Sequence, residues 1–268
     1  MTPDLAKFIG DNFTVVTHAS SDGFTGTSFD ATVWRGNAGS TYAGQTYVSM
    51  RGTQEFFDFT TDIDLAASGL AYSQLIDMVN WWMSETTPTG QMAKQIAMQL
   101  TPLPSGLFSR SFVAAPSVAG AGELVNIGPV TSVNGHSLGG YLASAFVRIF
   151  GQELSGVTIN TFNSAGFSRP LAANIEAGFS QIGQLLGPSF GLSGFSGAQN
   201  NYYAQNGINV TTNDWDPIGF KQYGTRIGLF QEDLTPGAID NHYMYKLTDV
   251  LALGNVLAKL DTSLNLNK

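Results

Sequence analysis

Gly135-His136-Ser137-Leu138-Gly139 places a serine inside the pattern G-x-S-x-G. A β-branched run, Val130-Thr131-Ser132-Val133-Asn134, precedes it, and a helical pattern from Leu138 to Phe150 follows. A strand that turns sharply into a helix lifts the intervening hydroxyl above the end of a sheet, where it can attack a carbonyl carbon. Gly135 and Gly139 stand where such a turn brings backbone segments together, and Gly140, Ala143 and Ser144 keep the helix slim against the sheet. The same pattern recurs at Gly187-Pro188-Ser189-Phe190-Gly191. There a proline precedes the serine and Gly191, Gly194 and Gly197 follow it, which would dismantle a helix. Ser137 is therefore the expected nucleophile and Ser189 a loop residue.

A serine hydroxyl is a weak nucleophile at neutral pH and needs a base beside it, normally histidine. The chain has three histidines. The side chain of His136 is expected to point away from Ser137 across the turn, as a packing or elbow-stabilising residue. His18 ends a β-like run, Thr14-Val15-Val16-Thr17, ahead of the serine, whereas sheets with this turn supply their triad in the order serine, acid, histidine. His242, after the serine and at the start of a helix, is the expected base. The acid must lie between, where Glu153, Glu176, Asp214, Asp216, Glu232, Asp233 and Asp240 compete. It should sit just past the C-terminal end of a strand. Asp214 and Asp216 follow a predicted strand at 208–212. Pro217 holds the preceding residue extended, which favours Asp216, with Asp214 the runner-up. The developing oxyanion needs two donors: the backbone N–H of Leu138, next to the nucleophile, and Thr53 at the strand end Arg51-Gly52-Thr53.

Positioning these groups requires alternating strands and helices. Strand-like alternation at 29–35 and 46–50, around a Gly/Asn/Ser-rich connection, predicts an N-terminal β-hairpin. Apolar residues at helical spacing predict helices at 70–83 and 90–100, separated by Pro88. The segment 101–122 is rich in Pro, Gly and Ser with scattered large apolar residues and no clean period; it reads as a buried connection or as a lid over an apolar site. Further strands are expected at 157–162 and 208–212, helices at 174–186 and 242–260, and a flexible loop at 187–207. This order predicts an α/β fold with a mostly parallel central sheet and helices on both faces. One domain over 1–268 accommodates it. Trp81, Trp82, Leu103, Leu107, Phe108 and Phe112, with Phe190 and Phe195, could line an acyl site; Phe108, Phe112 and Trp82 are the named substrate-binding candidates.

The composition narrows the chemistry further. A chain of 268 residues, 43% apolar, can bury a sizeable core. Net charge −8 argues against a nucleic-acid partner, which needs a basic face. Zero cysteines removes disulfides, thiolate metal sites and a cysteine nucleophile together. No stretch of 18 or more apolar residues exists, so no transmembrane helix is expected. The first residues lack a basic and then apolar secretory signal. Low charge and the 31 glycines still lean toward an exported protein.

Taken in order, Gly23-Phe24-Thr25-Gly26-Thr27-Ser28-Phe29, Met50-Arg51-Gly52-Thr53, Asp58 to Asp64, Gly135-His136-Ser137-Leu138-Gly139-Gly140, Asp216-Pro217-Ile218 and Asn241-His242 resemble the class 3 lipase family, near its secreted bacterial members. The similarity runs from about residue 20 to residue 250. It implies an α/β-hydrolase fold, Ser137, Asp216 and His242 as the triad, and Thr53 as the second oxyanion donor. The implied activity is that of a triacylglycerol lipase at an oil–water surface; a phospholipase A1, short-chain carboxylesterase or polyester hydrolase would use the same residues. A catalytically silent interaction domain is the reading from a different class. No cofactor is required, and a structural Ca2+ would have to sit among Asp/Asn-rich segments that lack a recognisable loop spacing. The family lid follows the Arg-Gly-Thr segment closely, whereas the lid candidate here lies at 101–122.

Overall fold

The computed structural model describes residues 2–20, 27–52, 70–154, 156–168, 171–190, 198–205, 220–230 and 242–260. In chain order these form α1 (Pro3–Asn12), β1 (Phe13–Ser20), β2 (Asp30–Gly36), β3 (Thr46–Arg51), α2 (Tyr72–Thr86), β4 (Met92–Pro102), β5 (Phe108–Ala119) and β6 (Val130–His136). Then come α3 (Leu138–Phe150), β7 (Thr158–Phe162), β8 (Phe167–Ser168), α4 (Ala172–Leu186), β9 (Gln199–Ala204), β10 (Phe220–Lys221), β11 (Thr225–Leu229) and α5 (Met244–Leu260). The central sheet has seven strands in the order β1-β2-β3-β6-β7-β9-β11. β1, β2 and β3 pair antiparallel, and every pairing from β3 onward is parallel. The protein is thus mixed α/β with a mainly parallel sheet flanked by helices. The expected hairpin is β2–β3, widened by β1. Helix α1 was not legible as a periodic segment; it begins on a Thr2 cap with Pro3 in its first turn, and no described side chain in it is buried.

One helix is buried almost throughout. All of α3 except Arg148 is buried, as befits a segment that is apolar on every side. Trp82 of α2 lies edge-on to Phe146 at 4.7 Å and tilted against Phe150 at 6.1 Å. Burial of a phenylalanine of this kind stabilises the fold by about 1.5–3 kcal/mol. At the other end of these helices the Tyr141 hydroxyl accepts from the Ala71 amide at 3.4 Å. Helices α2 and α3 therefore run side by side, with both N-termini at the Ser137 end of the sheet. On the opposite sheet face, Leu247 of α5 packs with Ala204 and Leu229.

A polar row crosses that second face. Asn134 Oδ1 accepts from Ser132 Oγ and from Asn160 Nδ2, both at 3.0 Å. Asn160 Oδ1 in turn accepts from Asn200 Nδ2 at 3.1 Å. The three asparagines are register partners on β6, β7 and β9.

Two expectations are corrected. Residues 90–100 do not form a helix, and 101–122 is not irregular: β4 and β5 make a two-stranded antiparallel hairpin apart from the main sheet. Met92, Ile96 and Leu100 are four apart, a spacing that suits a helix face and, being even, one face of a strand equally. In the strand Ala93 and Ile96 are the buried residues and Met92 is exposed, with a register shift against β5 between Ala93 and Gln95. The loop assigned to 187–207 contains β9, an interior strand between β7 and β11. Its Asn and Gln residues do not read as strand formers, because the sheet row and Ser144 are what satisfy them. The strand expected at 208–212 lies outside the described residues.

Candidate active site

The turn between β6 and α3 has the strain its spacing implies. Ser137 takes φ +57° and ψ −126°, a conformation that L-residues rarely adopt, and its amide donates to the Phe162 carbonyl at 3.1 Å. Its own carbonyl accepts from Gly140 and Ala165, both at 3.0 Å, which fixes the turn on two sides. Glycine is needed on each flank because backbone passes too close for a Cβ. A methyl at Gly135 would lie 2.1 Å from the Gly139 oxygen, and one at Gly139 would lie 2.2 Å from the Met50 oxygen. Gly52, just past β3, presses on the same turn; a Cβ there would meet Ser137 Cβ at 2.8 Å and the Leu138 amide nitrogen at 3.0 Å. The chain leaving β3 therefore passes beside the Leu138 N–H at the start of α3, where helix amides lack intrahelical partners.

The structure brings His242 to the serine. Its Nε2 lies 2.7 Å from Ser137 Oγ, across 105 residues of sequence. His242, two residues before α5, is held by its main chain as well as its ring: the His242 carbonyl accepts from His136 Nε2 at 2.7 Å and from Asn163 Nδ2 at 3.3 Å. Since a carbonyl can only accept, His136 carries its proton on Nε2. The two imidazoles stand 5.0 Å apart at 45°. Asn163, at the end of β7, sits in the left-handed region at φ +42° and receives the Ala204 amide on Oδ1 at 3.0 Å. Asparagine tolerates that backbone better than most residues.

Burial dominates the electrostatics. It lowers the pKa of His136, the bond to His242 opposing the shift. His242 is lowered to about 4, first by burial and second by the charge that His136 would carry. Both rings are thus neutral near pH 7, and His242 is in the form that can take a proton.

The other expected residues fall as follows. Leu138 opens α3 beside the serine. Thr53, Asp214 and Asp216 lie outside the described residues. His18 is on β1, its Nε2 3.5 Å from Asp30 Oδ1, away from the turn. Trp82 and Phe112 belong to the core, 4% and 1% exposed, and so cannot line an open acyl site. Phe108 is instead exposed, at the end of the β4–β5 hairpin. The sequence reading missed Asn163, although an asparagine just past a strand and before Ser164 is the kind of residue that tolerates a sharp turn.

No family model and no curated protein matches the chain. Among solved structures, that of a triacylglycerol lipase from Penicillium expansum is similar at a TM-score of 0.41 and 18% identity, over 88% of this chain and 79% of that one.

Proposed function

We propose that the protein is a carboxylic ester hydrolase working through Ser137 and His242. The observation that carries this reading is the 2.7 Å approach of His242 Nε2 to Ser137 Oγ at a strained strand-to-helix turn. In the first step Ser137 Oγ bonds to the ester carbonyl carbon while its proton passes to His242 Nε2, and the carbonyl electron pair moves onto oxygen. The amides of Leu138 and Thr53 receive that oxyanion. Collapse breaks the C–O bond to the alcohol, which leaves with the proton from His242. Water then repeats the sequence on the acyl-enzyme. Asp216, or failing it Asp214, supports the imidazolium. These steps call for no cofactor.

Triacylglycerol is the proposed substrate, on the motif order of the sequence; phospholipids, short-chain esters and polyesters would pass through the same residues. Secretion belongs to the same proposal and rests on composition and resemblance. No described helix is long and apolar enough to cross a membrane.

A fluorophosphonate probe tests the enzyme reading. Labelling should occur and vanish in Ser137→Ala. A protein that takes no label is the silent interaction domain, and labelling that persists in the variant places the nucleophile elsewhere. Hydrolysis of triglyceride emulsions against short p-nitrophenyl esters decides the substrate: brisk turnover of the short esters with none on emulsions removes the lipase assignment.

A further inference from the structure

The β4–β5 hairpin ends in an apolar tip that faces water. Leu107 is 68% exposed, Phe108 60% and Leu100 50%. Loop tips are ordinarily polar, because they gain nothing from burial. This one is also shaped in advance: the Leu103 amide donates to the Leu107 carbonyl at 2.7 Å, the Gly106 amide to the Leu103 carbonyl at 2.9 Å, and Gly106 takes φ +80°. Pro102 and Pro104 flank the first leucine and restrict the chain further.

Its direction follows from its contacts. The base of the hairpin is tied to the C-terminal end of α2, where the Ala121 amide donates to the Ser84 carbonyl at 2.9 Å. Farther along, Phe112 stacks on Tyr72 at 4.7 Å and the Tyr72 hydroxyl donates to the Arg110 carbonyl at 3.3 Å, in the first turn of α2. That turn is level with the start of α3, and hence with Ser137, through the Ala71–Tyr141 bond. Met98 pairs with Phe112, and the strands continue together to Pro102 and Phe108. Four more residues of strand carry the tip toward the sheet end that holds the serine, along α4, where Leu100, Leu107 and Phe108 border a groove with Asn174 and Ala177 and keep their outer faces in water.

Charge is arranged to match. Between Glu85 and Glu123 the sequence has no acidic residue, in a chain whose net charge is −8. An acidic tip would be repelled by a phosphate-bearing surface and would resist leaving water. An apolar, pre-shaped, acid-free projection beside a proposed ester-cleaving centre matches the acyl layer of a lipid aggregate.

We infer that the tip of the β4–β5 hairpin is a fixed interfacial anchor, with Leu107 and Phe108 entering the acyl layer of a lipid surface and holding the Ser137 end of the sheet against it. A group that inserts as built differs from a lid, which has to move. The inference rests on the ester-hydrolase reading for its purpose, but its test does not depend on turnover.

The chain has no cysteine, so Leu107→Cys in the full-length Ser137→Ala protein can be labelled at one site with an environment-sensitive NBD group. On phosphatidylcholine vesicles the label should brighten several-fold and shift to the blue, whereas the same label at Met92→Cys, on the exposed base of the hairpin, should not. Combining Leu107→Ser with Phe108→Ser should lower the fraction co-floating with vesicles at least tenfold. A label at Leu107→Cys that keeps its aqueous emission overturns the anchor, as does flotation unaffected by the serines. Light scattering that shows a dimer lost in the serine variants overturns it too, because the tip then meets a second copy of the chain. Hydrolysis of soluble p-nitrophenyl esters by the unaltered protein is scored separately, so loss of the anchor and loss of the enzyme assignment remain distinguishable.

Discussion

His136 donates its Nε2 proton to the main-chain carbonyl of His242 at 2.7 Å, so the residue beside the nucleophile holds the backbone of the residue that activates it. His136 is a positioning residue in this sense, and Asn163 shares the task from β7. His136→Ala should lower kcat by up to about 10²-fold, the scale at which a misplaced group loses reactivity, with KM little changed. His136→Gln, which keeps a donor, should recover part of the rate. Steady-state kinetics with the pair of variants checks this; equal losses for alanine and glutamine would remove the hydrogen bond from the account.

The depressed pKa of His242 sets the pH dependence. The base must be neutral to take the serine proton, and it is neutral above its pKa of about 4 rather than the ordinary 6.5. The profile of kcat/KM should therefore stay flat through mildly acidic pH and fall only near pH 4. An acid limb at 6 to 7 would mean that a carboxylate facing the ring, Asp216 or Asp214, offsets the burial. Stability follows the same sign: a histidine whose folded pKa lies below its unfolded one contributes stability above the unfolded value and loses it as pH falls through the folded one. His136→Ala should move the limb upward, because both burial and the neighbouring ring weaken.

Glycine substitutions should separate by location. Gly139→Ala drives a methyl to 2.2 Å from the Met50 carbonyl oxygen, and overpacking against backbone should cost about 3 kcal/mol or more. Gly10→Ala, inside α1 with nothing nearby, should instead stabilise by about 0.5–1 kcal/mol. Urea denaturation of the two variants reads both signs.

The acid is decided by exchange of amide for carboxylate. Asp216→Asn should lower kcat by about 10⁴-fold, the scale for losing the carboxylate that sets a triad histidine's tautomer. Asp214→Asn should leave most of the rate. The reverse pattern in single-turnover kinetics would transfer the role to Asp214.

What the sequence disclosed depended on how local each signal was. The turn at Ser137, the slim helix after it and the β2–β3 hairpin are written in adjacent residues, and the structure has them. His242 was legible through chain order alone, as the histidine after the serine. Failures arose where periodicity was ambiguous or partners were distant. The fourfold spacing of Met92, Ile96 and Leu100 fits two kinds of backbone, so the β4–β5 hairpin read as a helix and a loose cover. β9 resembles a loop because its amides are satisfied by strands far away in the chain. The bond from His136 to the His242 carbonyl spans 106 residues and leaves no local trace. Burial of Trp82 and Phe112 could not be separated from substrate lining, since an aromatic residue serves either purpose.

The amide row through Asn134, Asn160 and Asn200 acts as a vernier on the sheet. A slip of one residue in any of these strands would turn its asparagine toward the apolar α3 side, where an unpaired amide costs about 1–3 kcal/mol. The strands so indexed are the ones that end at the site: β6 leads into Ser137, the Phe162 carbonyl of β7 receives the Ser137 amide, and the Tyr202 carbonyl of β9 receives that of Asn163. Alignment of the nucleophile with its base is thus inherited from strand pairing, a few residues below the chemistry, and errors in it are screened out by hydrogen bonds that never meet a substrate.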